Sequence, residues 1–169
     1  MNIIFIFILM SYNCFTHSWK LWYHSPSNAD WSVNSYGKIT DFNNVETCKT
    51  ICQNHLNENL LTSCMFFIMK NDIKPVWEDD NNKDGGCFSF KLQNKIVHNS
   101  WNTLVYKTLG ETLFKDCDIQ NSVTGLSISP KKYFCIIKIW MNSCDYTDVS
   151  LLDCNDIPME SCIFKKHKE

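Results

Sequence analysis

Apolar and polar residues nearly alternate from Ser18 to His24 (SWKLWYH), which predicts a half-buried strand with Trp19, Leu21 and Tyr23 on one face. Ser25 to Ala29 (SPSNA) reads as a turn. Asn44 can cap a helix from Val45 to about Leu56, whose stripe holds Val45, Cys48, Cys52, His55 and Leu56. Cys64 to Lys70 (CMFFIMK) is a buried strand, and Cys87 to Leu92 (CFSFKL) alternates as another. The longest helix is expected over His98 to Phe114, with Trp101, Leu104, Val105, Thr108 and Leu109 at helical spacing and Gly110 near its end. Strands Val123 to Ser129 and Tyr133 to Met141 are joined by a tight Pro130-Lys131-Lys132 turn. A short helix over Asp148 to Cys154 and an edge strand over Glu160 to Phe164 complete the chain. Hairpin-linked strands with helices interspersed predict an α+β fold, an antiparallel sheet with helices on one face.

With 169 residues, no internal repeats and no linkers, a single domain is expected over 15–169. Residues 1–14 form an apolar leader or a flexible extension, because IIFIFIL at 3–9 is far too short to span a bilayer. No basic residue precedes that run, and Met10 offers an alternative start, so a cytoplasmic protein without stable membrane insertion is expected. A true signal is the alternative, and would make the ten cysteines the framework of a secreted, disulfide-linked binding protein. Most of those cysteines sit in apolar-periodic runs, however, which favours buried thiols acting as small hydrophobes.

Composition removes several functions. A net charge of −2 excludes a general attraction to nucleic acid, so any such binding must be local. Every basic residue among the sixteen is a lysine, which leaves phosphate to ammonium groups and backbone N–H groups. Cys48, Cys52 and His55 fall on one helix face at ligand-like spacing, but without a fourth ligand the stripe reads as core, and no metal site is expected. No nucleophile motif, P-loop, HExxH or dinucleotide fingerprint occurs, so neither an enzyme nor a cofactor is expected.

Aromatics make up 14% of the chain, more than packing requires. Trp31 and Trp77 lie in polar loops beside strands, and Trp77 is followed at once by Glu78. Two facing indoles form a slot for a planar ring, and their faces attract positive charge. A carboxylate at the edge of that slot suits the N1–H and N2–H₂ donors of guanine, and methylation at N7 makes guanine cationic. The residues therefore point to 7-methylguanine, the base of the mRNA 5′ cap.

The segments WKLWYH (19–24), Trp31, FNNVET (42–47), IKPVWEDDNNKDGG (73–86), WNTLVYKTLGE (101–111) and IKIW (137–140) resemble the cap-binding translation initiation factor 4E family from about Phe15 to Trp140. The resemblance implies a curved antiparallel sheet with helices on its convex face and the cap on its concave face. It implies Trp31 and Trp77 as the stacking pair, Glu78 on the guanine edge, the Trp77 backbone N–H on O6, and Trp140 against the N7 methyl. For the triphosphate it implies Lys131, with Lys132 and Lys138 offsetting the losses where Cys87 replaces an arginine and Ile136 a lysine. Cap affinity is accordingly expected to depend less on the triphosphate than is usual in the family. The partner-docking surface for a helical scaffold factor corresponds to Val45, Lys49 and Asn102, where the family carries Val, Trp and Leu. The His-Pro-Leu segment of the family reads Asn13-Cys14-Phe15. Capped mRNA is thus the implied partner, with scaffold binding poor or altered, and the tail after Trp140 is expected to lack or shorten the loop that flanks the cap. Whether such a protein promotes or blocks translation is left open at this point.

Overall fold

The computed structural model describes residues 13–168, apart from the side chains of residues 54 and 55; the apolar leader falls outside that range. The strands are β1 (Cys14–His24), β2 (Gly37–Asn44), β3 (Met65–Lys70), β4 (Gly86–Gln93), β5 (Val123–Pro130), β6 (Phe134–Met141) and β7 (Ile163–Lys166). They form one seven-stranded curved sheet in the order β2-β1-β3-β5-β6-β4-β7, and every neighbouring pair is antiparallel. The helices are α1 (Val45–Thr50), continued by a π turn at Ile51–His55, α2 (Glu58–Leu61), α3 (Asn94–Leu109) and α4 (Cys117–Asn121). This is the expected α+β architecture.

Period-two alternation gives the sheet two unlike faces. Leu21, Ile68, Phe88, Phe90, Leu126, Ile128, Ile137 and Ile139 turn to the main core, where Trp101, Leu104 and Val105 of α3 meet them. Trp22, Phe67, Met69 and Trp140 turn the other way and make a smaller apolar cluster on the opposite face. The cysteines from Cys48 to Cys162 are free thiols, and Cys48, Cys52, Cys87, Cys135, Cys154 and Cys162 are buried. They fill the core as the small apolar residues expected. Among the described residues no group of three His, Cys, Asp or Glu could hold a metal ion, and no helix is long and apolar enough to cross a membrane.

Several boundaries differ from the sequence expectation for physical reasons. The long helix starts at Asn94 and stops at Leu109, because Gly110 caps it and Glu111 takes a left-handed φ of 56°. Leu113 and Phe114 continue the apolar rhythm but belong to the core beyond the helix end, where Phe114 bridges to Leu152. Strand β2 escaped the pattern because it is an edge strand with Phe42 alone buried. Tyr23 is exposed rather than packed with Trp19 and Leu21, its ring lying over Gly37, where a Cβ would collide with it. The stripe of α1 starts at Cys48, since Val45 is 47% exposed. The last strand begins at Ile163, after a 3₁₀ turn at Met159–Ser161, and pairs with β4.

The loop between β3 and β4 is tied down from inside. Asn82 is fully buried, and its amide donates to the carbonyls of Lys74 (3.2 Å) and Val76 (2.9 Å) while accepting from Thr124 Oγ1 of β5 (2.8 Å). The Asp79 carboxylate accepts from the Lys74 and Asn81 backbone N–H groups and the Asn81 side chain. Burial opposes ionisation of Asp79, but those three donors outweigh it and hold its pKa below the usual value. Asp80 is exposed and pairs only with Lys83. Gly85 and Gly86 then enter β4 where any Cβ would strike the Met141 or Lys165 carbonyl oxygen. Asn82→Ala leaves two carbonyls and one hydroxyl without their partner, and is expected to cost about 1–3 kcal/mol in urea unfolding. A loss below a few tenths of a kcal/mol would show that the amide does not hold the loop.

Candidate functional site

On the concave face the loops that follow β1 and β3, together with five strands, β3 to β7, line a cavity of about 590 Å³. Trp31 enters it from the loop after β1, and its position is set from behind. His24, the buried last residue of β1, lies parallel to the Trp31 ring at 4.3 Å and 12°. The His24 Nε2–H donates to the Asp30 carbonyl (2.8 Å), which fixes the tautomer and ties the loop to the strand. The Asp30 carboxylate in turn accepts from the Ser32 N–H and hydroxyl, and those bonds lower its pKa. Trp31 remains 52% exposed, and Trp77 on the loop held by Asn82 is 42% exposed. Indoles this large are rarely left so open unless a partner covers them.

Trp140 lines the same cavity from the sheet floor and is only 7% exposed. Its Nε1–H donates to Ser127 Oγ of β5 at 2.8 Å, Phe67 meets it edge-on at 6.4 Å, and His167 covers it at 4.7 Å and 38°. Burial, and then the charge of Lys138, push the His167 pKa down to about 4, so the ring is neutral near pH 7. Tyr36 also reaches the cavity, packed between His24 and Phe67. Its hydroxyl pKa rises to about 12, first through burial and then through the charge of Glu78, so it stays protonated.

The charged groups of the lining come from different elements. Glu78 lies on the cavity wall beside Trp77, whereas Lys131, Lys138 and Lys165 line it from β6, its preceding turn and β7. Lys138 and Trp140 share a face of β6 at i and i+2, so the alternation that turns one toward the cavity turns the other. Cys87 pairs with Trp140 on one side and with Lys165 on the other, and is 2% exposed. Burial raises its thiol pKa, against a smaller pull from Lys138 and Lys165. A neutral thiol thus stands between two ammonium groups.

The cavity therefore gathers Trp31, Trp77, Glu78, Trp140, Lys131 and Lys138. Lys132 departs from expectation: it is absent from the cavity lining, and its ammonium lies over the Tyr133 ring at 4.9 Å, a cation–π contact at the turn. Sequence reasoning missed Tyr36, Lys165 and the two residues that orient Trp140, Ser127 and His167. The tail, expected to lack or shorten the loop that flanks the cap, supplies Lys165 and His167 because β7 pairs with β4 and the His167 N–H reaches the Gly85 carbonyl. Its LysLysHis run after an apolar pair was the available signal.

Val45, Lys49 and Asn102 are placed on α1 and α3, the helical side of the sheet. Val45 and Lys49 are exposed. Asn102 is half-buried, its amide 3.4 Å from His98 and its Oδ1 buried without a partner.

Chemically, the cavity combines exposed aromatic faces, one carboxylate acceptor and three ammonium groups. It suits a flat, electron-poor base that offers N–H donors and carries a polyanionic chain.

Comparison with known proteins gives the same picture. Residues 14–157 match the family model described as eukaryotic initiation factor 4E. The translation initiation factor 4E of Eremothecium gossypii is 30% identical over 132 residues, covering 74% of this chain and 60% of the relative. That of Saccharomyces cerevisiae is 29% identical over 133 residues, covering 75% and 61%. The chain thus spans about three-fifths of the length of these relatives. Among solved structures, Ascaris suum eIF4E-3, determined with an m7G cap and with an m2,2,7G cap, superposes with a TM-score of 0.77 at 21% identity. In the m7G structure the match covers 92% of this chain and 91% of the other. At that identity the likeness establishes the fold. The family match over most of the chain establishes descent: this chain belongs to the eukaryotic initiation factor 4E family.

Proposed function

We propose that this chain binds the 7-methylguanosine 5′ cap of mRNA without chemical conversion, and acts in the cytoplasm in translation initiation or its regulation. The observation that carries the reading is the cavity's lining: two exposed indoles and Glu78 on its loops, with three lysines on β6, the turn before it and β7. The methylated base slides between Trp31 and Trp77, whose electron-rich faces favour its positive charge. Glu78 accepts from N1–H and N2–H₂, the Trp77 backbone N–H donates to O6, and Trp140 meets the N7 methyl. The triphosphate extends toward Lys131, Lys138 and Lys165. Capped mRNA is one partner. A helical scaffold factor or 4E-binding protein is the other, and Lys49 and Asn102 weaken the apolar groove such a helix needs. An m7GTP resin and tryptophan fluorescence titration test the cap reading directly.

Trp31→Ala or Trp77→Ala is expected to remove about 1–3 kcal/mol of stacking, and Glu78→Ala about 1.5–3 kcal/mol. Each should therefore weaken m7GTP about fivefold or more. Wild-type retention that GTP releases as well as m7GTP would defeat the proposal.

The lysine end is tested with Lys138→Ala and Lys165→Ala combined. Partly exposed charge contacts are worth roughly 1 kcal/mol or less each, so m7GTP should weaken by up to about thirtyfold while m7GMP hardly changes. Equal losses for both ligands would place the triphosphate elsewhere.

For the helical partner, Lys49→Trp with Asn102→Leu restores apolar contact and removes the unsatisfied Asn102 oxygen. A scaffold-motif peptide should bind the double variant at least about tenfold more tightly, as expected for a buried Trp anchor. Unchanged affinity would mean the partner docks by other contacts.

A further inference from the structure

Two hydroxyls on the cavity floor have no acceptor. Direct antiparallel partners form one row across the concave face, Trp22, Phe67, Ser127, Lys138 and Ser89, running from β1 to β4. Trp22 and Phe67 belong to the apolar cluster, whereas Ser127, Lys138 and Ser89 are polar and line the cavity. Ser89 is nine-tenths buried, and its hydroxyl has no hydrogen-bond partner among the described residues. Ser127 is 5% exposed, and its Oγ accepts from the Trp140 indole N–H, which leaves its own O–H to donate. Lys138, between the two, pairs with no carboxylate among the described residues. Strands β4, β5 and β6 each have a neighbour on both sides, so the backbone carbonyls around these hydroxyls are engaged in the ladder.

A hydroxyl held away from water without an acceptor is costly, and a half-buried strand surface takes Val, Ile or Thr more readily than Ser. An anion docked on the row offsets both. Two O–H donors fixed by the sheet, with an ammonium between them, match the oxygens of one phosphate group. We infer that Ser89 and Ser127 bind a phosphate of the cap's chain directly, together with Lys138, so that neutral hydroxyls supply donors in a protein without arginine. The step rests on the cap reading above, which supplies the anion. Ser127 also holds Trp140, which meets the N7 methyl in that reading, and so joins the contact with the base to the contact with the phosphate. Ser89 serves the phosphate alone. The two kinds of donor differ in range: an ammonium attracts phosphate from a distance and is screened by salt, while a hydroxyl acts only at contact.

The test titrates the full chain by tryptophan fluorescence with m7GTP and with 7-methylguanosine, which lacks phosphate, over a series of salt concentrations. Ser89→Ala removes one oxygen from the cavity floor. It is expected to weaken m7GTP about fivefold or more at every salt concentration and to leave 7-methylguanosine unchanged. Lys138→Ala should flatten the salt dependence of m7GTP binding, whereas Ser89→Ala keeps the wild-type slope. Ser127→Ala should weaken both ligands, because Trp140 loses its acceptor, and m7GTP the more. A smaller loss of m7GTP in Ser89→Ala, equal losses for the two ligands, or a flattened salt slope in that variant overturns the inference and leaves cap binding standing. A wild-type chain that does not prefer m7GTP to GTP removes the cap reading and this inference with it.

Discussion

The period of two in the strands is the constraint from which both core and cavity follow. In β6, Ile137, Ile139 and Met141 enter the main core while Ile136, Lys138 and Trp140 border the cavity. Antiparallel pairing then brings Cys87 beside Trp140, and Ser89 and Ser127 beside Lys138. A slip of one residue would put a lysine and an indole into the core and isoleucines into the binding face. The register is therefore held by the whole main core, and the site inherits its precision from apolar packing on the other side of the sheet.

The aromatic walls are held differently. Both exposed indoles stand on loops, and a few polar contacts replace the missing ladder. Asn82 ties the Trp77 loop to β5, and His24 ties the Trp31 loop to β1 while backing its ring. Binding a flat ligand between walls already in place spares much of the entropy of ordering them. Charge is arranged the same way in advance, with Glu78 on the Trp77 loop and the lysines on β6, the turn before it and β7.

Much of this was legible in the sequence. Strong alternation announced β4, β5 and β6, and buried positions at helical spacing announced α3. Trp31, Trp77 and Glu78 stood out because polar loops give large aromatics no core to fill. What stayed hidden depended on pairing. Strand β2 shows no pattern because its edge position buries Phe42 alone, and Lys165 joins the site only because β7 lies against β4. Lys132 went the other way: as a turn residue next to Tyr133, it found a nearer ring than the cavity. The amide of Asn82 carried no sequence signal, since one asparagine in a polar loop looks like any other.

The free margin of the sheet also decides how the cavity could come apart. Strand β7 closes the sheet beside β4 with only four residues, Ile163–Lys166, yet it carries Lys165 and leads into His167. Fraying of so short an edge strand would withdraw an ammonium group from the cavity and uncover the Trp140 ring in one step, so charge and aromatic floor are lost or kept together.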